Sequence, residues 1–185
     1  MKLLNKIRNI IRSWLGVDYG PTLWDMQKMG MKVGKNFKAD KPRIDTSHCW
    51  LITIGDDVVF GPNVYLLAHD ASTKQHLGYT KIGKISIGDN TFVGADAIVM
   101  PGVKIGNNCI IGTGSIVTKD VPDNTVYAGS PARFICTLED YLEKNKTLME
   151  TNPVYDYSYT LGGNITEEKK EQMRKELENG IGFVR

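Results

Sequence analysis

The sequence predicts a mainly β protein, a parallel β-helix built from hexapeptide repeats. An aliphatic residue recurs at every sixth position, a glycine usually follows it, and a smaller residue stands two positions before it. In a strand, alternate side chains face the same way, so the small and the aliphatic residue point inward together. Three such units make one triangular coil, and stacked coils bury the aliphatic ladder that no single repeat could bury alone. The aliphatic positions are Ile87, Val93, Val99, Ile105, Ile111 and Val117.

The repeat extends towards the N-terminus and is interrupted once. The same register occurs at Val33, Ile54, Phe60 and Leu66. We therefore expect the β-helix to occupy residues 33–135. An insertion loop over residues 72–86 lengthens the spacing between Ile54 and the next repeat in register. Loops that leave a rigid solenoid usually serve binding, so the insertion is a candidate functional element.

The glycines that follow the aliphatic residues are expected to form the corners of the coil. They include Gly55, Gly88 and Gly106. Glycine adopts a positive φ without a Cβ penalty, and a sharp corner is where such a backbone is needed. We expect these glycines to have positive φ.

Helical segments are expected on both sides of the β-helix. Residues 1–32 form an N-terminal helical segment, and residues 136–185 form a C-terminal helical extension. In the extension, Thr137 is a typical N-cap for a helix, and a second, charged helix is expected over residues 166–179.

The first fifteen residues combine apolar residues at helical spacing with four basic residues, Lys2, Lys6, Arg8 and Arg12. A basic amphipathic helix can lie on an anionic membrane. An apolar stripe at this spacing more often packs against protein. We expect residues 2–15 to form a docked helix with at most weak, salt-sensitive contact with a membrane surface.

The composition excludes several classes of protein. The net charge of +2 is too small to indicate nucleic-acid binding. The three cysteines are odd in number, far apart in the sequence and not arranged as metal ligands. They favour a reducing compartment, so we expect a cytoplasmic protein that at most lies peripherally at the inner face of the membrane. The sequence contains no apolar run long enough to span a membrane.

Two long segments resemble a known family. Residues 85–135, ISIGDNTFVGADAIVMPGVKIGNNCIIGTGSIVTKDVPDNTVYAGSPARFI, resemble the hexapeptide-repeat acetyltransferases, especially the maltose and galactoside O-acetyltransferases. Residues 49–85, beginning CWLITIG and containing LLAHDASTKQHLGYTKIGKI, are closer to the surface-polysaccharide (capsule) O-acetyltransferases. The resemblance implies a left-handed β-helix, a homotrimer with active sites between subunits, acetyl-CoA as co-substrate, a sugar or saccharide acceptor, and no metal.

The resemblance also implies the reacting groups. His69, in the LLAHDAS stretch at the corner before the insertion, matches the family's general base. The backbone N–H of Ala95 matches the corner where the family binds the cofactor and stabilises its oxyanion. Asp70 follows His69 and could help to orient it, although neighbours in a strand point to opposite faces.

The resemblance also implies which residues bind the acceptor and the cofactor. The family's acceptor position falls on Asp40, where Asn is more common, and His76 and Tyr79 of the insertion are further candidate acceptor contacts. A basic residue that the sugar enzymes carry three positions after Arg133 is Cys136 here. The expected contacts with CoA are Gly112, Thr113, Thr118, Lys119 and Arg133.

These groups suit direct transfer of an acetyl group from a thioester to a hydroxyl. Attack by the hydroxyl requires removal of its proton, and histidine, with an ordinary pKa near 6.5, can accept it at neutral pH. No G-x-S-x-G nucleophile motif occurs, which favours direct transfer over an acyl-enzyme.

Other functions remain open at this point. An amino sugar or serine could be the acceptor. A zinc hydratase of the γ-carbonic-anhydrase kind uses the same fold but needs three histidine ligands, and this chain has three histidines in all. A hexapeptide scaffold without catalytic activity is the third alternative, and CoA binding would distinguish it.

Overall fold

A computed structural model describes residues 20–185 and confirms the parallel β-helix. Most of the strands form three sheets, one on each face of a triangular prism, and strands of consecutive coils pair in parallel. Sheet A contains β1 (Lys32–Val33), β4 (Ile52–Ile54), β9 (Ile85–Ile87) and β12 (Lys104–Ile105). Sheet B contains β2 (Lys38–Ala39), β5 (Val59–Phe60), β10 (Phe92–Val93), β13 (Ile110–Ile111), β15 (Thr125–Ala128) and β16 (Arg133–Thr137). Sheet C contains β3 (Arg43–Ile44), β6 (Tyr65–Leu66), β11 (Ile98–Val99) and β14 (Ile116–Val117).

The predicted aliphatic ladder is the core. In sheet A, Ile54, Ile87 and Ile105 are in register in successive coils and are at most 2% exposed. Burial of an aliphatic side chain of this size contributes about 1.5–3 kcal/mol. The stacked coils therefore supply most of the apolar burial that holds the prism together.

The glycines at the corners are needed for a different reason from the one predicted. Gly55, Gly88 and Gly106 are absent from the residues with positive φ. The next coil instead approaches too closely to leave room for a side chain. A Cβ on Gly88 would lie 2.6 Å from the carbonyl carbon of Gly106 and 2.7 Å from the backbone nitrogen of Asn107. The expectation of positive φ at these glycines was wrong, because close packing of coils excludes the Cβ.

Positive φ occurs two residues later, at Asn and Asp. Asn90 and Asn108 have φ of 53° and 52°, a conformation that these side chains tolerate better than most. They belong to the edge between sheets A and B, here called the A–B edge, which comprises residues 34–36, 55–57, 88–90, 106–108 and 122–124.

Hydrogen bonds link the corners of the A–B edge from coil to coil. The Asp56 carboxylate accepts from the backbone N–H of Lys35, and the Asp89 carboxylate accepts from that of Asp56, at 2.7 and 2.8 Å. Asn107 and Asp123 continue the series at 2.8 and 2.9 Å. Backbone N–H groups that the corner leaves without a sheet partner are satisfied in this way.

The outward-facing residues differ among the three faces. Two faces carry apolar ladders, and the third, sheet A, is polar. The members in register are Val59, Phe92 and Ile110 on sheet B; Tyr65, Ile98 and Ile116 on sheet C; and Thr53, Ser86 and Lys104 on sheet A. Phe92 is 43% exposed. Two apolar faces on one solenoid favour contact with other chains.

The last coil of sheet A is shorter than the period predicts. Ile105 forms a parallel bridge with Val121, and the backbone N–H of Lys104 donates to the Asp120 carboxylate. The six-residue period, continued beyond Val117, predicts Pro122 beside Lys104 on the outer face, but the structure differs, because Val121 is the residue in register with Ile105. The separation of Lys104 and Asp120 is 16 residues instead of the 18 of the preceding coil.

The insertion forms a short hairpin with a helical tip. Strand β7 (His69–Asp70) pairs antiparallel with β8 (Lys81–Ile82). Between them lie a 3₁₀ turn (Ala71–Thr73) and helix α2 (Lys74–Leu77), which Gly78 ends with φ of 75°.

Helix α1 (Leu23–Lys28) precedes the first coil and begins with a Thr22–Asp25 capping box. The helix expected over residues 2–15 lies outside the described residues.

The chain divides into two compact units, and the second runs from Cys136 to Arg185. This unit contains α3 (Leu138–Thr151), α4 (Glu167–Glu176) and a parallel pair of strands, β17 (Val154–Tyr155) and β18 (Phe183–Val184). Thr137 caps α3, as the sequence predicts. The buried Tyr155 donates to Glu176 at 2.7 Å, and burial together with this acceptor raises the pKa of Tyr155 to about 12. No helix within residues 20–185 is long and apolar enough to cross a membrane.

Candidate active site

His69 lies at the edge between sheets C and A, here called the C–A edge, which comprises residues 45–51, 67–84, 100–103 and 118–120. It follows β6 of sheet C and begins the insertion hairpin, where it is in register with Ile82. One third of its side chain is exposed, so the ring is held by protein and also reachable from solvent.

Asp45 holds the ring of His69 from the preceding coil. Asp45 follows β3, and its backbone N–H donates to Leu66 at 2.9 Å, which fixes it beside the coil that carries His69. The Oδ2 of Asp45 lies 2.5 Å from Nδ1 of His69. The side chain of Asp45 is 1% exposed, and its Oδ1 accepts from the backbone N–H groups of Ser47 and His48 at 2.9 and 3.2 Å.

This arrangement selects one tautomer of the histidine. A carboxylate only accepts hydrogen bonds, so Nδ1 of His69 carries the proton and donates it to Asp45. The lone pair is then on Nε2. The Asp45–His69 pair is therefore arranged as a general base with an orienting carboxylate.

Asp70, the neighbour considered for this role, is bound elsewhere. Its carboxylate forms an ion pair with Lys81 at 2.6 Å and accepts from the backbone N–H of Ser72 at 2.9 Å. The hydrogen bond from Lys81 is the main reason that the pKa of Asp70 falls to about 2. Asp70 closes the base of the insertion hairpin, and Asp45 takes the place beside His69.

Two residues that the sequence did not single out complete the surroundings of His69. The ring of His48 lies between those of His69 and Trp50, with centroid distances of 5.4 Å to each. Nδ1 of His48 is buried and has no hydrogen-bond partner in the described part of the chain. Trp50 is 51% exposed. An aromatic face and an unpaired ring nitrogen thus lie next to the Asp45–His69 pair.

Asp45, His48 and His69 lie close enough together to hold a metal ion, but the distance between Asp45 and His69 fits a hydrogen bond better. Asp45, His48 and His69 each offer a ligand atom within 4.8 Å of the others. Two ligand atoms of a tetrahedral zinc are separated by about 3.3 Å, however, whereas Asp45 and His69 approach to 2.5 Å, a hydrogen-bond distance. His76, the third histidine, is exposed in α2 and is not a member of this group.

The predicted cofactor residues lie on two edges, except for Arg133 in sheet B. Ala95, Gly112 and Thr113 follow strands of sheet B, at the edge between sheets B and C, here called the B–C edge (residues 40–42, 61–63, 94–96 and 112–114). Gly114 donates to the carbonyl of Ala95 at 2.8 Å, so two coils are stacked there. Asp40 lies on the same edge.

Thr118 and Lys119 follow β14 and lie on the C–A edge, as His69 does. Arg133 begins β16, and its guanidinium donates to the carbonyl of Ala132 at 2.9 Å. His76 and Tyr79 lie in the exposed part of the insertion. Within one chain, sheet C therefore separates His69 from the residues of the B–C edge.

Comparison with known proteins decides the family. Residues 84–119 match the family described as the hexapeptide repeat of succinyl-transferase. Galactoside O-acetyltransferase of Escherichia coli K12 is 37% identical over 123 residues, which are 65% of this chain and 60% of that enzyme. Protein CapG of Staphylococcus aureus is 35% identical over 161 residues, which are 83% of this chain and 88% of CapG. The chain belongs to the hexapeptide-repeat acetyltransferases.

A solved structure agrees with this membership. The maltose O-acetyltransferase from Clostridium difficile 630 superposes with a TM-score of 0.50 and 31% identity, over 60% of this chain and 72% of that one. The resemblance and the left-handed β-helix of the family are thereby confirmed. The chain spans less than two thirds of the length of the galactoside O-acetyltransferase that it matches.

Proposed function

We propose that this hexapeptide-repeat acetyltransferase moves an acetyl group from acetyl-CoA to a hydroxyl of a sugar or surface-polysaccharide precursor, with His69 as the general base. The observation that carries the proposal is the buried Asp45 carboxylate bound to Nδ1 of His69, which leaves Nε2 as the free base. The names of the galactoside and maltose relatives support a sugar acceptor.

The reaction follows from these groups. Nε2 of His69 removes the hydroxyl proton as the acceptor oxygen attacks the thioester carbonyl. In the proposed site, the backbone N–H of Ala95 donates to the resulting oxyanion. The tetrahedral intermediate collapses, the C–S bond breaks, and the imidazolium returns its proton to the sulfur of CoA. Asp45 stabilises the imidazolium between these two steps, because its carboxylate is already bound to Nδ1.

The acceptor is assigned to the side of His69 that carries His48 and Trp50. Exposed tryptophan faces bind apolar faces of ring compounds, and a few polar groups beside them set orientation. His48 presents such a group. Asp40, His76 and Tyr79 stay proposed acceptor contacts, and the insertion is proposed to govern acceptor choice more than CoA binding.

The cofactor is assigned to Ala95, Gly112, Thr113, Thr118, Lys119 and Arg133. Lys119 and Arg133 supply positive charge for the phosphates of CoA. The complete site is proposed to lie in the cleft between two chains of a homotrimer, because sheet C separates the two groups of residues in a single chain. The apolar outward faces of sheets B and C support this assembly, since a cyclic trimer covers both. A monomeric mass by light scattering at micromolar concentration would contradict it.

The proposed location is the cytoplasm, with any membrane contact peripheral, and no nucleic acid is a proposed partner. Within the proposal, residues 2–15 dock on protein and add at most a weak, salt-sensitive contact with a membrane surface. No metal takes part in the proposed reaction.

The test is a screen that measures thiol release from acetyl-CoA with sugars, nucleotide sugars, amino sugars and serine as acceptors. We expect transfer to a sugar hydroxyl, with loss of transfer in His69→Ala. CoA binding without transfer to any acceptor would favour a scaffold. Bound zinc with hydration of carbon dioxide would favour a hydratase, and metal analysis of the purified protein belongs in the same experiment.

A further inference from the structure

The outward-facing residues of the first coil are all basic. Lys32 on sheet A, Lys38 on sheet B and Arg43 on sheet C occupy equivalent positions on the three faces. In the next coil, the residues in register with them are Thr53, Val59 and Tyr65, none of which is charged. Positive charge is therefore concentrated at one end of the prism and surrounds it.

Neighbouring residues strengthen this charge. Lys28, Lys35 and Lys41 are also exposed, so residues 28–43 contain six basic residues and one acid, Asp40. The whole chain has a net charge of only +2, which makes the remainder net negative. Within residues 20–185, none of the six bases forms an ion pair. We call the six bases, Lys28, Lys32, Lys35, Lys38, Lys41 and Arg43, the basic coil.

Large apolar side chains are exposed beside the basic coil. Trp24 and Met29, in and after α1, are 37% and 43% exposed, and Trp50 is 51% exposed. Helix α1 is fixed next to the coil, because Met26 is buried and its carbonyl accepts from the thiol of Cys49. Tryptophan together with lysine and arginine is the composition that proteins present to the headgroup region of a bilayer.

We infer that the basic coil binds the anionic surface of a lipid bilayer and brings the active site to acceptors held there. Charge complementarity supports a bilayer as the occupant, and the exposed tryptophans favour it over a soluble polyanion. The sequence of residues 1–19 contains four further bases, Lys2, Lys6, Arg8 and Arg12. Asp45, His48 and Trp50 follow Arg43 directly, so the candidate site is adjacent to the proposed membrane surface.

The proposed homotrimer would strengthen this binding. Cyclic symmetry points all three chains the same way along its axis, so the bases outside the covered faces of sheets B and C, among them Lys28, Lys32 and Lys35, lie on one side of the trimer and bind together. Access of a membrane-held acceptor rests on the proposed acetyl transfer. Binding to the bilayer itself does not, and a binding assay without acetyl-CoA therefore separates failure of this inference from failure of the proposed function.

The test is co-sedimentation of the full chain with vesicles of phosphatidylcholine containing 30 mol% phosphatidylglycerol, compared with phosphatidylcholine alone, at about 0.1 M and about 0.5 M salt. The wild type is expected to bind only the anionic vesicles, and less at high salt. The combined variant Lys28→Gln, Lys32→Gln, Lys35→Gln should lower the partition coefficient by roughly 100-fold, because each basic residue beside an anionic surface contributes about fivefold.

The matched control removes the same charge elsewhere. Lys104→Gln, Lys144→Gln, Lys146→Gln should bind as the wild type does, and circular dichroism checks that both variants are folded. A first-coil variant that binds as well as the control would overturn the inference, as would equal binding to uncharged vesicles. If only neutralisation of Lys2, Lys6, Arg8 and Arg12 in the full chain abolished binding, vesicle binding would belong to residues 1–19, and the inference would be overturned. Binding to soluble dextran sulfate but not to vesicles would assign the surface to an acidic polysaccharide and also overturn it.

Discussion

The A–B edge and the C–A edge belong to the same prism but are built in opposite ways. After the first corner of the A–B edge, each corner repeats one turn, in which a carboxylate or amide accepts from the backbone N–H one coil earlier, at 2.7–2.9 Å. The corners of the C–A edge differ in length and structure. One contains a 3₁₀ turn (Cys49–Leu51), one contains the whole insertion hairpin, and two are short. The edge that keeps the period stabilises the coil, whereas the edge that breaks it carries the candidate chemistry.

Substitutions at the C–A edge should reduce activity more than they reduce stability. His69→Ala should lower turnover by about 10²–10⁴, the usual contribution of a general base, while CoA affinity and the melting temperature stay near those of the wild type. Thiol-release kinetics measure the turnover, calorimetry with CoA measures the affinity, and thermal unfolding gives the melting temperature. Near-wild-type turnover would remove His69 from the mechanism.

Substitutions at the A–B edge should reduce stability more than they reduce activity. Gly88→Ala adds a Cβ that would lie 2.6 Å from the carbonyl carbon of Gly106, so the coils must separate. The free energy of unfolding should fall by about 1–3 kcal/mol, as it does when a packed interior is overfilled. Gly180→Ala is the control, because the nearest atom to its Cβ is 3.8 Å away. Equal stability of the two variants in urea unfolding would show that the coils are not closely packed at this edge.

Within the transfer reaction, Trp50 should affect the binding of the acceptor and leave that of acetyl-CoA unchanged. Trp50→Ala is expected to raise the acceptor KM about tenfold and to leave the KM for acetyl-CoA unchanged, because loss of an aromatic contact costs about 1–1.5 kcal/mol. Trp50→Phe, which keeps an aromatic face, should restore much of the loss. A rise in the KM for acetyl-CoA with unchanged acceptor KM would place Trp50 on the cofactor side.

The smallest expected effect concerns the base of the insertion. The pKa of Asp70 is lowered to about 2 from an ordinary value of 3.8, chiefly by the hydrogen bond from Lys81. Its pairing therefore stabilises the hairpin above pH 4 and is lost as the pH falls towards 2. Asp70→Asn should speed amide hydrogen exchange in residues 70–82 severalfold at neutral pH. Glu143→Gln, in an exposed pair with Lys146, should leave that exchange unchanged. Exchange unaffected by Asp70→Asn would mean that the pair does not hold the hairpin.

The sequence predicts the periodic parts of the molecule better than the irregular C–A edge. The coil, its inward ladder and the position of the insertion follow from a six-residue period that local chemistry imposes. His69 is a candidate from the sequence because the insertion begins beside it and because its motif resembles that of a family. The positive φ was predicted at the wrong corner residue, since the close approach of the next coil is a contact that one strand cannot show.

Asp45, His48 and Trp50 were missed for a related reason. They lie in the corner between β3 and β4, where the six-residue period stops. Asp45 could have been found by its register, because it follows Ile44 as Leu67 follows Leu66 in the next coil. A carboxylate at that point lies one coil before the corner that carries His69.

We expect Asp45 to act through His69, and a double-mutant cycle on kcat/KM is the decisive test. Asp45→Asn keeps an oxygen for the backbone N–H groups of Ser47 and His48 but removes the negative charge, and should lower kcat/KM by about 10². In the double variant with His69→Ala, we expect a kcat/KM within about twofold of that of His69→Ala alone, because no base remains for Asp45 to orient. Effects that multiply in the double variant, or an Asp45→Asn enzyme as fast as the wild type, would contradict it.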